Sequence, residues 1–253
     1  MNHKELKFRK NGNFQFTASG GVAPYVFTTT CGTGSQIDAN GNFKAPPTSS
    51  GANCQVSVSF SLTGGSITGT ATSTVKVTEN FTMSVSSVEM MVGNSYDLSS
   101  VMNGGAAPYK CTADNISGKG TLSQKAGSAN TSCLFTASSA GDATVKITDS
   151  STTPMSVIVP IKIYSALTIT PGIRKIAVNN SLNFSTTGGV GTKILKVKSG
   201  SGTVTDMTFA AGSNPGTVVI EASDAFNPPN KVTATITVNP ALSIAPQASY
   251  VLS

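Results

Sequence analysis

The strongest constraint on the fold of this chain is an internal repeat. A Gly-Gly pair with a short apolar extension occurs at Gly20-Gly21-Val22-Ala23-Pro24-Tyr25 and at Gly104-Gly105-Ala106-Ala107-Pro108-Tyr109. A degenerate copy occurs at Gly188-Gly189-Val190-Gly191-Thr192-Lys193, and successive copies are 84 residues apart. Such an interval in a chain of 253 residues indicates similar domains in tandem, each long enough to bury its own core.

Each repeat shows the same order of β-strand patterns around the glycine pair. A strand opened by an Asn-containing turn precedes the pair, a Phe-x-Ala element follows it, and two strands with alternating apolar residues close the repeat. The Phe-x-Ala elements are Phe43-Lys44-Ala45, Phe135-Thr136-Ala137 and Phe209-Ala210-Ala211. No segment has the apolar period and end caps of a helix. Roughly seven short strands per repeat, with frequent turns, predict an immunoglobulin-like β-sandwich.

We therefore predict an all-β chain of three tandem immunoglobulin-like β-sandwich domains in an elongated array, with the first strand of a fourth. The predicted domains cover residues 1–79, 80–164 and 165–240, and the first strand of a further repeat lies in 241–253. Similar opening strands follow the joints, at Phe81-Thr82-Met83-Ser84-Val85, Leu167-Thr168-Ile169-Thr170-Pro171 and Leu242-Ser243-Ile244-Ala245-Pro246. The first repeat begins instead at Glu5-Leu6-Lys7-Phe8, so we expect both ends to be cut from a longer array.

The four cysteines form two pairs by spacing. Cys31 and Cys54 are 23 positions apart, and Cys111 and Cys133 are 22 positions apart. Neither a CxxC spacing nor a histidine accompanies them, which argues against zinc binding and thioredoxin-type chemistry. Strand parity places the cysteines on inward positions, which favours one disulfide within each of the first two domains. Two buried pairs of reduced thiols are the alternative, and four cysteines allow three pairings.

Disulfides imply an oxidising compartment, so we predict an extracellular or cell-surface location, with the periplasm or the outer-membrane side as further options. The first ten residues are polar and basic, unlike a signal peptide, so an exported chain is expected to be a processed or excised piece. No apolar run approaches the ~20 residues that a membrane helix requires, and we predict no membrane span.

Catalytic chemistry has few candidates in this composition. Only 11% of the residues are charged and the single histidine, His3, lies beside the N-terminus, so acid–base or triad chemistry lacks its usual base. Asp149 and Asp224 occupy equivalent positions after a strand, where Asx turns at a hairpin explain them better than catalysis. The joints offer too few carboxylates for calcium. We predict no catalytic residue, no metal site and no cofactor.

Two segments are candidate ligand contacts. The net charge is +6, but the basic residues are not gathered on one element with aromatic residues between them, which argues against a nucleic-acid partner. Lys193, Lys196 and Lys198 lie in one strand-like segment that forms a solvated face or binds an anionic ligand. Phe226 lies beside two prolines in a loop that contacts a ligand or packs against a neighbouring domain. The tyrosines of the first two glycine motifs are predicted core residues.

The glycine-pair element, the Phe-x-Ala strand and the joint pattern Ala-Leu-Thr-Ile-Thr-Pro together resemble the tandem immunoglobulin-like repeats of large bacterial surface and secreted proteins. The resemblance covers almost the whole chain, and the third repeat departs from it at Thr192-Lys193. It implies a non-enzymatic stalk, display or adhesive segment whose partners are a surface protein or glycan and the neighbouring repeats of a longer chain. A polysaccharide-binding module and an accessory β-region of a larger secreted hydrolase are the alternatives.

Overall fold

The computed structural model describes residues 5–49, 53–61, 68–123 and 133–244. The chain divides into two compact units, Met1–Ile163 and Tyr164–Ser253. Within the described ranges the regular structure consists of β-strands and one 3-10 turn at Leu98–Val101. In the same ranges no helix is long and apolar enough to cross a membrane. Buried apolar residues form three separate clusters, two in the first unit and one in the second, which confirms the predicted all-β fold of tandem sandwiches.

Sandwich 1 lies in the first unit and consists of two sheets. Its strands are β1 (Leu6–Arg9), β2 (Asn13–Gln15), β3 (Val26–Thr29), β4 (Gln36–Ile37), β5 (Asn42–Lys44), β6 (Asn53–Ser61) and β7 (Thr68–Thr78). One sheet has the order β1-β7-β6-β3 and the other β2-β5-β4. Strand β1 pairs in parallel with β7, whereas β3, β6 and β7 are antiparallel neighbours.

Sandwich 2 completes the first unit and adds a two-stranded sheet. Its strands are β8 (Thr82–Met83), β9 (Val88–Met91), β10 (Ser95–Asp97), β11 (Met102–Asn103), β12 (Lys110–Asn115), β13 (Gly120–Ser123), β14 (Leu134–Ala137), β15 (Gly141–Thr148) and β16 (Ser156–Tyr164). The sheets have the orders β12-β15-β16-β9, β10-β14-β13 and β11-β8.

Sandwich 3 forms the second unit with the same arrangement. Its strands are β17 (Thr168–Thr170), β18 (Ile173–Ala177), β19 (Ser181–Asn183), β20 (Ser185–Thr187), β21 (Ile194–Ser199), β22 (Gly202–Thr205), β23 (Thr208–Ala211), β24 (Gly216–Ser223) and β25 (Lys231–Asn239). The sheets have the orders β18-β25-β24-β21, β19-β23-β22 and β17-β20. Residues 241–244 form no strand, and the rest of the predicted opening strand of a fourth repeat lies outside the described residues.

The Phe-x-Ala strands supply the centre of each core. Phe43, Phe135 and Phe209 are at most 1% exposed, because the alternation of a strand turns every second side chain toward the facing sheet. The closing strands bury their apolar members in the same way, as at Val159 and Ile236. Outward positions carry serine and threonine, the pattern of a sheet with one solvated face.

The two disulfides occupy different places, although their sequence separations are almost equal. Cys31 follows β3 and pairs with Cys54 on β6, its neighbour in the same sheet, with the Cα atoms 4.8 Å apart. Cys111 lies on β12 and pairs with Cys133, which immediately precedes β14 in the facing sheet. The second disulfide therefore connects the two sheets of sandwich 2, while the first closes one end of a single sheet.

Backbone hydrogen bonds show which residues occupy the position that Cys133 of the sheet-to-sheet disulfide holds in sandwich 2. The carbonyls of Gly41, Cys133 and Met207 each accept a bond of 2.8 Å from the backbone N–H of the residue that directly follows β2, β10 and β19, respectively. A Cβ atom on Gly41 would lie 3.2 Å from the Phe27 ring. Sandwich 1 therefore fills with an aromatic ring the space that sandwich 2 fills with a cystine.

Candidate functional site

The loop end of sandwich 3 is organised by one buried carboxylate. Asp224 follows β24 and is 6% exposed. Its Oδ1 accepts the N–H groups of Phe226 and Asn230 at 3.1 and 2.8 Å, which closes the loop before β25. Its Oδ2 accepts the N–H of Val190 at 2.9 Å and the side-chain amide of Asn230 at 2.9 Å. The carboxylate thus connects the glycine-pair loop to the last hairpin.

Asp149 makes the same connection in sandwich 2. It is 4% exposed, and its Oδ2 accepts the Ala106 N–H at 3.1 Å while its Oδ1 accepts the Met155 N–H at 2.7 Å. The Ser151 hydroxyl donates to Oδ1 at 2.8 Å. The predicted Asx turns are present, but each carboxylate also crosses to the glycine-pair loop, a contact that hairpin sequence alone does not reveal.

The sandwich 1 position equivalent to these aspartates holds an aromatic residue. In the three sandwiches, Val58, Ile147 and Ala222 pair with Phe27, Cys111 and Leu195, respectively. Two positions later the chain carries Phe60, Asp149 and Asp224. A Cβ atom on Gly21 would lie 2.5 Å from Cε1 of Phe60, so the ring packs directly against the glycine pair.

The tyrosines of the glycine motifs tie their own loops. The Tyr25 hydroxyl donates to the Gly20 carbonyl at 2.7 Å, and the Tyr109 hydroxyl donates to the Gly104 carbonyl. Tyr109 packs against the core of sandwich 2 and stacks on Phe81 with ring centroids 5.2 Å apart, as expected for a core residue. Burial raises the pKa of the Tyr109 hydroxyl above its usual value, and the nearby charge of Asp149 acts in the same direction.

Tyr25 departs from the predicted core position. It is half-buried and lines an open groove, and no aromatic ring of the described residues stacks on it, whereas Phe81 stacks on Tyr109.

Three lysines surround one buried glutamate on the outer face of sandwich 3. Lys196, Lys198 and Lys231 place their Nζ atoms 3.2, 3.5 and 3.7 Å from the carboxylate of Glu221. The contact with Lys196 lowers the pKa of Glu221 below its ordinary value, against the opposing effect of burial and with further help from the other two lysines. The lysine side chains are 55–61% exposed, and the cluster carries a net charge of +2.

The structure brings together two of the predicted lysines, Lys196 and Lys198. It adds Glu221 and Lys231, which the sequence analysis did not single out. Lys196 lies directly opposite Glu221, and Lys198 sits at a register shift between Val197 and Ser199. Lys231 reaches the cluster from β25, opposite Ser223. The alternation along β24 was the available signal, since it places Glu221 with Thr217 and Ser223 on the outward face.

The two remaining candidates make contacts of their own. Lys193 donates from Nζ to the Gly191 carbonyl at 2.7 Å, so it holds the degenerate glycine loop where the other repeats use a tyrosine. Phe226 is half-buried and its ring meets Tyr164 edge-on, with centroids 6.3 Å apart. His3 lies outside the described residues.

Sandwiches 1 and 2 meet through direct hydrogen bonds within the first unit. Only residues 79–81 separate β7 from β8. The Lys7 ammonium donates to the Ala107 carbonyl at 2.6 Å, and the Thr152 N–H donates to the Lys7 carbonyl at 2.6 Å. Glu79 accepts the Gly105 N–H through its carbonyl at 2.8 Å and forms an ion pair of 2.6 Å with Lys10 through its carboxylate. Charge and backbone contacts therefore fix this junction.

Acid should weaken the second unit through Asp224. Burial opposes ionisation of Asp224, but hydrogen bonds from Asn230, Val190 and Phe226 outweigh it and lower its pKa. The stabilisation is therefore complete above the unfolded pKa of about 3.9 and is lost as the pH falls through the lower folded value. We expect Asp224→Asn to lower the unfolding free energy of residues 164–244 at pH 7 by about 2–3 kcal/mol and to reduce its acid dependence.

Urea unfolding followed by pulsed hydrogen exchange of peptides from residues 164–244, at pH 7 and pH 3, measures this effect. The exposed Asp206 provides the matched control, and Asp206→Asn should leave the unfolding curve unchanged. Equal curves for the parent and Asp224→Asn at pH 7 would contradict the structural role of the carboxylate.

No protein-family model matches the chain, and no curated protein matches it. Among solved structures it is similar to an I-band fragment of titin, at 13% identity and a TM-score of 0.40, covering 94% of this chain and 95% of that one. It is also similar to extracellular domains 3–5 of Drosophila OTK, at 7% identity and a TM-score of 0.42, covering 93% and 94%. For the N-terminal eight Ig domains of DSCAM the identity is 12% and the TM-score 0.41, covering 95% and 36%. All three scores are below 0.5, so the fold assignment rests on the sheets and cores of this chain.

Proposed function

We propose that the chain is a non-enzymatic stalk or adhesive segment of a bacterial cell-surface or secreted repeat protein, with binding at domain ends. The observation that carries this proposal is the junction of the first unit. Lys7 and Glu79 connect the two sandwiches by hydrogen bonds without a flexible spacer, which is what a stalk that transmits position or force requires.

The surface and the disulfides support an extracellular location. Two cystines stabilise the first unit, and such bonds persist in oxidising compartments. The outward positions of long strands such as β7 and β25 are occupied mainly by threonine and serine, a polar surface with little charge. We infer partners of two kinds, namely neighbouring repeats of a longer chain and a surface protein or glycan bound at the loop ends.

If the chain is a stalk, its radius of gyration should be larger than that of a compact globular chain of the same length. A globular domain of 253 residues has a radius of gyration of about 18 Å. We expect small-angle X-ray scattering of the full chain to give a value well above this, with the dimensionless Kratky profile of linked, folded domains. A radius near 18 Å would contradict the stalk.

A variant with a four-residue Gly-Ser insertion between Glu79 and Asn80 is the matched control for the junction. Because the insertion loosens the connection between sandwiches 1 and 2, its scattering profile should show greater flexibility than the parent profile. Identical profiles would mean that the junction contacts do not fix the two sandwiches in solution.

A second candidate function, binding of an anionic polysaccharide, is favoured by the lysine cluster of sandwich 3. Three exposed ammonium groups converge on one face, where Glu221 is the acidic group that pairs with them among the described residues. An anionic chain laid along this face would meet Lys196, Lys198 and Lys231 together, and its affinity would fall with salt.

Elution from immobilised heparin over a NaCl gradient tests this candidate. We expect Lys196→Ala combined with Lys198→Ala to elute at clearly lower salt than the parent, and Glu221→Gln to elute at higher salt because an opposing charge is removed. Lys44→Ala combined with Lys110→Ala removes the same net charge from exposed positions elsewhere and serves as control. If the two double variants elute at the same NaCl concentration, the lysine cluster is not the binding site and the proposal is wrong.

A further inference from the structure

The outer face of the sheet β18-β25-β24-β21 carries a second basic position besides the lysine cluster. Strand pairing places Lys175 of β18 directly opposite Thr237, which shares the outward side of β25 with Lys231. Lys231 belongs to the cluster around Glu221. Thr237 follows Lys231 by six residues of extended strand, so Lys175 lies about 20 Å from the cluster along the sheet. The face therefore has three ammonium groups at one end and one at the other.

The path between the two basic ends is polar and uncharged. Thr233 and Thr235 are exposed on the outward side of β25, and their hydroxyls can both donate and accept hydrogen bonds. Ile173 lies opposite Thr235 and is 79% exposed, which adds an apolar contact surface beside the threonines. Among the residues that the structure describes on this face, Glu221 is the acidic one.

The fold itself does not require this charge pattern. The corresponding sheet of sandwich 2, β12-β15-β16-β9, has an outer face on which positive and negative charges balance. Its exposed basic residues are Lys110, Lys146 and Lys162, and its exposed acidic residues are Glu89, Asp114 and Asp142. In sandwich 3 four lysines and one glutamate give the face a net charge of +3. The basic face is thus a property of sandwich 3 and not of the repeat.

We propose that a linear anionic polysaccharide lies along β25 on this face, with the Glu221 cluster at one end and Lys175 at the other. The proposal rests on the second candidate function given above, and it adds the direction of the ligand, its minimum length and a further contact residue. The acidic groups of the ligand pair with the lysines, and its hydroxyls bond to Thr233 and Thr235 between them. A ligand shorter than about 20 Å contacts the cluster but does not reach Lys175.

Titration of the full chain with heparin fragments of two lengths, followed by NMR, tests this path. Lys175→Ala should weaken binding of a heparin dodecasaccharide about two- to fivefold, the effect of one exposed ion pair, and leave binding of a heparin disaccharide unchanged. Lys196→Ala combined with Lys198→Ala should weaken binding of both fragments, because both contact the cluster. A Lys175→Ala variant that binds the two fragments with the same relative loss would contradict the path.

Arg174→Ala is the matched control for Lys175→Ala. Arg174 is exposed on the same edge strand, but it lies opposite the buried Ile236 and so belongs to the other side of β18. The control removes the same charge one residue away and should bind the dodecasaccharide like the parent. Equal weakening by Arg174→Ala and Lys175→Ala would overturn the path while the cluster remains a binding site. A parent that binds no dodecasaccharide would overturn the path and the candidate function together.

The threonine hydroxyls provide a test that does not change the charge. Thr235→Val keeps the shape of the side chain and should weaken binding of the dodecasaccharide about twofold through the lost hydrogen bond. Thr203→Val removes an exposed hydroxyl from the opposite sheet of the same sandwich and should leave the affinity unchanged. If both valine variants bind the dodecasaccharide with the affinity of the parent, the ligand does not follow β25.

Discussion

Each sandwich depends on one phenylalanine that is buried between its two sheets. The rings of Phe135 and Phe209 lie so close to the neighbouring strand that a Cβ atom on Gly120 or Gly202 would come within 2.6 and 2.4 Å of them. In sandwiches 2 and 3 the strand beside the Phe-x-Ala element must therefore carry glycine at this point. Removing such a ring costs about 3–5 kcal/mol in a typical core, a large share of the stability of a domain of this size.

Around this shared centre, the repeats differ in how they complete the core. A cystine connects the sheets of sandwich 2, whereas the Phe27 ring fills the equivalent space of sandwich 1 beside Gly41. At the loop end, Asp149 and Asp224 satisfy backbone donors of the glycine-pair loop, while Phe60 packs against that loop by apolar contact. The glycine-pair loop is thus held by hydrogen bonds to a carboxylate in sandwiches 2 and 3, and by packing against an aromatic ring in sandwich 1.

Much of the fold was predictable because it depends on periodicity. The Phe-x-Ala strands and the closing strands follow from alternation, and the spacing of the cysteines favoured the pairing of Cys111 with Cys133 without excluding the other pairings. The Glu221 cluster was harder to predict, because it joins β21, β24 and β25 across sheet registers that no local pattern fixes. The half-buried position of Tyr25 was not predictable either, since the packing of the equivalent Tyr109 depends on its stacking with Phe81, which lies outside the glycine motif.

The three sandwiches are built alike, but residues 17–19 of the first pair with no strand in the part of the chain that the structure describes. Amide hydrogen exchange of the full chain, read at single-residue resolution by NMR, compares residues 17–19 with Ser185–Thr187. The structure predicts rapid exchange of the amides in 17–19 and slow exchange of those in β20 that bond to β17, with equally protected Phe-x-Ala strands in both sandwiches. Equal protection of 17–19 and 185–187 would contradict the account.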